Sequence, residues 1–267
     1  MPIQINQIEL MKKLKKLLVN VLNIKNLLLL FIICSSCGLE TNNEYPIIEK
    51  VTVNDITLPK GFTISKLYEP TDNEQGSWVS FAKDDKVSFY ASDQFGSIYK
   101  ATIKKSNGKD SLYVKELNLN VGLAHGLLFH NNELFALVNS YDDKIKSGLY
   151  KIIDSNDDGE LDTVKTLKTV IGNGEHGPHS IELSPDRKSM YMVFGNHTDI
   201  PNDVHGSVPE VWGEDNLLPV IKDPSGHANS RKAPGGWVAQ TDFDGVDWTL
   251  IAVGTRNTFD IAFNRDN

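Results

Sequence analysis

Apolar and polar residues alternate along most of this chain in short bursts, each closed by a polar or glycine-containing turn. Trp78–Phe81, Val87–Ala91, Ser97–Ile103 and Leu112–Leu117 read as strands, with apolar side chains recurring on one face. Phe62–Leu67 carries the same alternation after Pro59-Lys60-Gly61 and is expected to be a strand as well. Beyond the N-terminal region no long segment keeps a 3.6-residue period, so the pattern predicts an all-β body with few helices.

The strands also repeat as units. Ser77–Phe81 followed by Lys83–Val87 resembles Ala124–Phe129 followed by Asn131–Leu134. The form returns at Pro178–Leu183 with Ser184–Lys188, and at Phe259–Phe263 with Asn264–Asp266. Copies start roughly 45 to 55 residues apart, a spacing that suits the blades of a β-propeller, with one longer step after the third. That step holds Asp199 to Pro234, rich in Pro, Gly and Asn, and is expected to be an insertion over one face. A β-sandwich is the alternative architecture for such short strands. Three and a half units do not close a propeller ring, so the sequence is expected to be a truncated one.

Ahead of the strands, Lys12, Lys13, Lys15 and Lys16 precede the apolar run Leu27–Ile33, and small residues follow at Ser35-Ser36-Cys37-Gly38. A basic region, a short apolar core and a small-residue cut site make an export signal, and the run is shorter than the roughly 20 residues of a membrane span. Cys37 sits where a bacterial lipoprotein is cleaved and lipidated, although Cys34 stands where an aliphatic residue is usual. The expected division is a signal over 1–37, a polar tether over 38–57 and a partial propeller over 58–267. The body then lies outside the cytoplasm, periplasmic or on the outer membrane, held to a membrane by its lipid.

The two cysteines both lie before Gly38, so no disulfide framework, zinc cluster or thiol nucleophile is available to the body. A net charge of -8 argues against a nucleic-acid partner, which requires a basic face. Chemistry is left to His, carboxylates, Arg, a metal ion or an organic cofactor.

Four stretches offer such groups. Asp154, Asn156, Asp158 and Asp162 alternate around Gly159, a spacing suited to calcium, though Lys165 stands where a full EF-hand loop has its bidentate Glu. An acidic hairpin turn explains the same residues. Gly174-Glu175-His176-Gly177-Pro178-His179 places two imidazoles at the start of a strand, and Gly195-Asn196-His197 follows one strand later. His125 occupies the position of His179 in the preceding copy, so the two are expected to share a face. Together these histidines suit either a metal site or separate structural roles. Gly235-Gly236 permits close approach of a ligand or forms a plain turn. Arg256-Asn257 opens the fourth copy, where Arg256 suits a carboxylate-bearing ligand or a structural Asp.

In this order, the stretches 154–162, 174–186, 194–199, 233–237 and 254–264 resemble the sugar (glucose/sorbosone) dehydrogenase-type six-bladed propellers. The closest resemblance is to the Planctomycetes-Verrucomicrobia-type membrane-bound dehydrogenase, haem-binding group. It covers roughly Leu58 to Asn267. It implies oxidation of a sugar or alcohol, with pyrroloquinoline quinone on one face of the propeller, calcium beside it, and a cytochrome or other periplasmic electron acceptor. It also implies haem c, but only in a C-terminal region beyond Asn267. By position, His176 with Pro185-Asp186 following would be the catalytic base, and Arg256 and Asn257 would contact the quinone. Two positions depart from the group: Thr258 replaces the usual Pro, and no Arg follows the base near Ser180. A propeller that binds carbohydrate or a protein without catalysis is the alternative function.

Overall fold

A computed structural model describes Lys12, Lys15, Lys16 and residues 49–53, 55–70, 75–84, 87–208 and 234–264. Most of the expected signal, Cys37 and most of the 199–234 insertion lie outside the described residues. Within the segment expected to be a tether, β1 (Lys50–Val53) and β2 (Ile56–Pro59) form an antiparallel hairpin with Val53 paired to Ile56. Phe62–Leu67 differs from its expectation: it carries no strand, and Phe62 is 66% exposed. Alternation gives a strand only where a neighbour completes the ladder, and this stretch has none among the described residues.

Three successive meanders form the rest, all antiparallel except at one edge. The first sheet is β3 (Trp78–Lys83), β4 (Ser88–Asp93), β5 (Ile98–Ser106) and β6 (Lys109–Glu116), paired in sequence order. The second is β7 (Ala124–His130), β8 (Glu133–Val138), β9 (Gly148–Ile153) and β10 (Thr163–Thr169), again in order. The third runs through β11 (Pro178–Leu183) and β12 (Met190–Phe194). A two-residue strand from the insertion, β13 (His205–Gly206), precedes β14 (Gly236–Thr241) and β15 (Thr249–Thr255), and pairs in parallel on the outside of β15. The protein is therefore all-β, with no helix among the described residues from Glu49 onward.

Local chemistry sets the tight turns. Ser106 pairs with Lys109 and His130 with Glu133, which leaves Asn107-Gly108 and Asn131-Asn132 as two-residue connections. All four have positive φ, between 50° and 75°, the left-handed geometry that a twisted hairpin requires and that Asn and Gly tolerate.

The middle sheet is buried on both faces, which explains the almost unbroken apolar sequence of β8. Leu134, Ala136 and Val138 pack with Tyr90, Ile98 and Leu127 in one cluster, while Phe135 and Leu137 point the other way, to Met192, Phe194 and Trp237. Each large apolar side chain so buried contributes about 1.5–3 kcal/mol. The first strands of the sheets, β3, β7 and β11, lie side by side, so the first three copies of the repeat each open a sheet at the same place. The fourth copy, 259–263, is not a strand; it runs beside β11, with Ser180 Oγ donating to Asp260 Oδ1 at 2.8 Å.

Candidate functional site

Each opening strand contains a β-bulge, and all three fall at its start: between Trp78 and Ser80, between Ala124 and Gly126, and between Pro178 and Ile181. A bulge re-aims the side chain it carries. The residues inside the three bulges include Val79, His125 and His179, and all three line one cavity of about 550 Å³. The expectation that His125 and His179 share a face is met, with ring centroids 5.8 Å apart.

The loops at this end complete the lining. Phe95, Tyr141 and Phe259 supply aromatic surface, each about two-thirds exposed as befits a rim. Phe259 also packs on His179, 4.8 Å between centroids. Asn139 ties the second sheet to the loop before β11. Its Oδ1 accepts the Gly174 N–H and its Nδ2 donates to the Gly174 carbonyl, both at 2.8 Å, and the same Nδ2 donates to His125 Nδ1 at 3.4 Å. Two glycines in that loop are sterically required. A Cβ on Gly174, whose φ is 85°, would strike the Tyr141 hydroxyl, and one on Gly177 would lie 2.5 Å from Asn139 Oδ1.

Hydrogen bonding fixes the state of His179. Its Nε2–H donates to the Glu175 carbonyl at 2.8 Å, so in the neutral ring Nδ1 is a bare acceptor. That Nδ1 is sealed from solvent, and so is Asn257 Oδ1. The Asn257 side chain lies beside His179, where it favours the charged ring. Both imidazoles are held neutral. Burial pushes His125 down to about 4, helped by the positive charge His179 would carry, and burial lowers His179 in the same direction.

A stability slope follows from His125. The unfolded imidazole takes a proton near 6.5, whereas the folded one resists until about 4. The unfolded state then binds more protons, so stability is full above pH 6.5 and is lost as the pH falls towards 4. Denaturant midpoints measured across this window should fall with pH, and His125→Gln should flatten the slope.

The remaining expected site residues lie elsewhere. His176 is wholly buried behind the cavity wall; its Nδ1–H donates to Asn196 Oδ1 at 2.6 Å, and its ring stacks near His197 at 4.8 Å. Arg256 is exposed and contributes its carbonyl to the Asn196 N–H, while its side chain is not part of the cavity lining. Asn257 is part of it. Asp186 caps the β11–β12 turn, accepting from Ser184 Oγ at 2.7 Å, at the end of β11 remote from the cavity.

The 154–162 loop joins β9 to β10 at that same remote end. Asp154 accepts the N–H groups of Asn156, Asp158 and Gly159, and Asn156 and Asp158 accept further loop amides. Asp162 accepts from Ser155. Among the described residues, no three His, Cys, Asp or Glu side chains converge where a metal ion would sit. Asp154→Ala is expected to cost about 1–2 kcal/mol by unwinding the loop. Denaturation in EDTA and in calcium checks this; a loss confined to the calcium buffer would assign the carboxylate to a cation instead.

The cavity is large enough for a cofactor of quinone size, but its chemistry does not match one. Pyrroloquinoline quinone carries three carboxylates, and among the described lining residues there is no Lys or Arg, only neutral imidazoles, amides, aromatic rings and Glu175. Buried anions need paired cations, so the described lining does not fit this quinone. No protein-family model matches the chain, and a search of curated proteins finds no significant match.

Proposed function

We propose that the three meander sheets are consecutive blades of a β-propeller and that its cavity binds a neutral polyhydroxylated ligand, a sugar or other polyol. The neutral lining carries this reading, because imidazoles and amides, with no Lys or Arg among the described lining residues, suit hydroxyl groups rather than an anion. The aromatic rim supports it: Phe95, Tyr141 and Phe259 offer flat apolar surface for the C–H face of a sugar ring. The proposal includes a lipoprotein held on a membrane outside the cytoplasm, supported by the N-terminal signal pattern and Cys37.

Oxidation of the bound ligand is the second reading, favoured by the neutral imidazoles of His125 and His179 in the cavity lining. A neutral imidazole in a desolvated site is suited to accept the proton of a substrate hydroxyl. In that reading the carbon-bound hydrogen leaves with its electron pair to a two-electron acceptor, which passes the electrons on to a cytochrome or other periplasmic carrier.

Isothermal calorimetry of the full chain with a panel of monosaccharides and polyols tests the first reading, with millimolar or tighter binding expected. Dye reduction over the same panel, with and without added quinone and calcium, tests the second. Binding without reduction leaves a carbohydrate-binding protein, and absence of both sinks the proposal.

A further inference from the structure

A second cavity, of about 400 Å³, adjoins the first. Two stretches of chain pass from one directly into the other. Asn139 lines the first cavity, Ser140 the second and Tyr141 both; one loop later, Asn173 lines the second and Gly174 the first. Tyr141 is thus their shared wall, and it is 69% exposed. The hydroxyl end of that wall lies over Gly174, where a side chain would meet it.

The two cavities differ in chemistry. The first combines aromatic rings with neutral imidazoles, whereas the second has a polar lining. It contains hydroxyls from Ser140, Ser147 and Thr169, the amide of Asn173, the carboxylates of Asp142 and Asp143, and the ammonium of Lys146. The Ser140 and Ser147 hydroxyls bond to the backbone of their own loop and Lys146 pairs with Asp143, so Thr169, Asn173 and the remaining carboxylate lone pairs are the groups that match the alternating hydroxyls of one sugar ring. An adjoining aromatic wall matches the apolar face of a ring next to it.

We propose that the second cavity is a further sugar subsite, and that the ligand is an oligosaccharide bound across Tyr141, with one unit in each cavity. The inference rests on the polyol reading of the first cavity. Joining two weakly bound units through a glycosidic bond makes the second contact intramolecular, so affinity rises by more than either unit supplies alone.

Calorimetry on the full chain with glucose, xylose, galactose and mannose, and with their di- and trisaccharides, tests it. At least one oligosaccharide series is expected to bind tenfold or more tightly than its monosaccharide. Asn173→Ala, which alters only the second cavity, should erase that advantage and leave monosaccharide affinity unchanged. Phe259→Ala, which alters only the first, should weaken both. Equal affinity for monomers and oligomers overturns the subsite, as does an Asn173→Ala variant that retains the full oligomer advantage. Absence of binding by every saccharide overturns the polyol reading itself, a different outcome from monosaccharide binding without an oligomer advantage.

Discussion

Trp237→Ala is expected to destabilise the protein by about 4 kcal/mol, within the range for removing a fully buried indole. Trp237 is completely buried on β14, stacked on Phe194 with centroids 3.8 Å apart and planes at 11°. Its Nε1–H donates to the Thr198 carbonyl at 3.0 Å. Truncation leaves a cavity between the second and third sheets and removes the donor from a carbonyl in the segment leading to the insertion. Domains of this kind hold only about 5–15 kcal/mol in total, so a loss of this size is a large share. Urea unfolding followed by circular dichroism measures it. Trp237→Phe keeps the stack and loses the hydrogen bond, and should cost about 1–2 kcal/mol. A loss under 1 kcal/mol in the alanine variant would refute the central role given to this side chain.

The second large effect concerns the two neighbouring histidines. His179→Gln is expected to weaken saccharide binding by about 10- to 100-fold, because its ring lines the cavity and backs Phe259. Where dye reduction is observed, turnover should drop by at least about 100-fold, the usual contribution of a general base. His176→Gln should do the reverse, lowering stability while leaving saccharide affinity within about twofold, because its ring is buried against Asn196 and His197 rather than in the cavity. Binding by calorimetry and stability by denaturation, measured on both variants, separate the two roles. Loss of binding in His176→Gln with full affinity in His179→Gln would restore His176 as the functional imidazole.

Much of the strand pattern is legible in the sequence because each face of these strands has a consistent neighbour. Pro178–Leu183 and Met190–Phe194 form strands with the same bounds that their alternation indicates. Phe62–Leu67 and 259–263 have equally good alternation and no ladder, since the sequence of a strand does not name its partner. The site was legible in part. His125 and His179 emerge from the repeat, but the family resemblance draws attention to His176, which lies three residues before His179 in the loop that leads into β11. What separates them is the bulge: it directs His179 into the cavity, and a bulge is invisible in an alternating pattern. Asn139, Tyr141 and Phe95 carry no motif. They matter because the β4–β5 and β8–β9 loops open at the same end as the bulges, a consequence of strand direction rather than of local composition.

Three bulges at one level of three sheets also bear on how such a protein changes over time. Each is a position whose side chain leaves the ladder, so it can be exchanged without moving the register of the strands. A duplicated unit therefore delivers a new site position ready-made and chemically unassigned. Val79 beside His125 and His179 is what that history would leave: one scaffold step used three times, with two copies carrying imidazole and one an aliphatic chain. The ligand preference of the cavity can then drift one sheet at a time while the strands behind it stay the same.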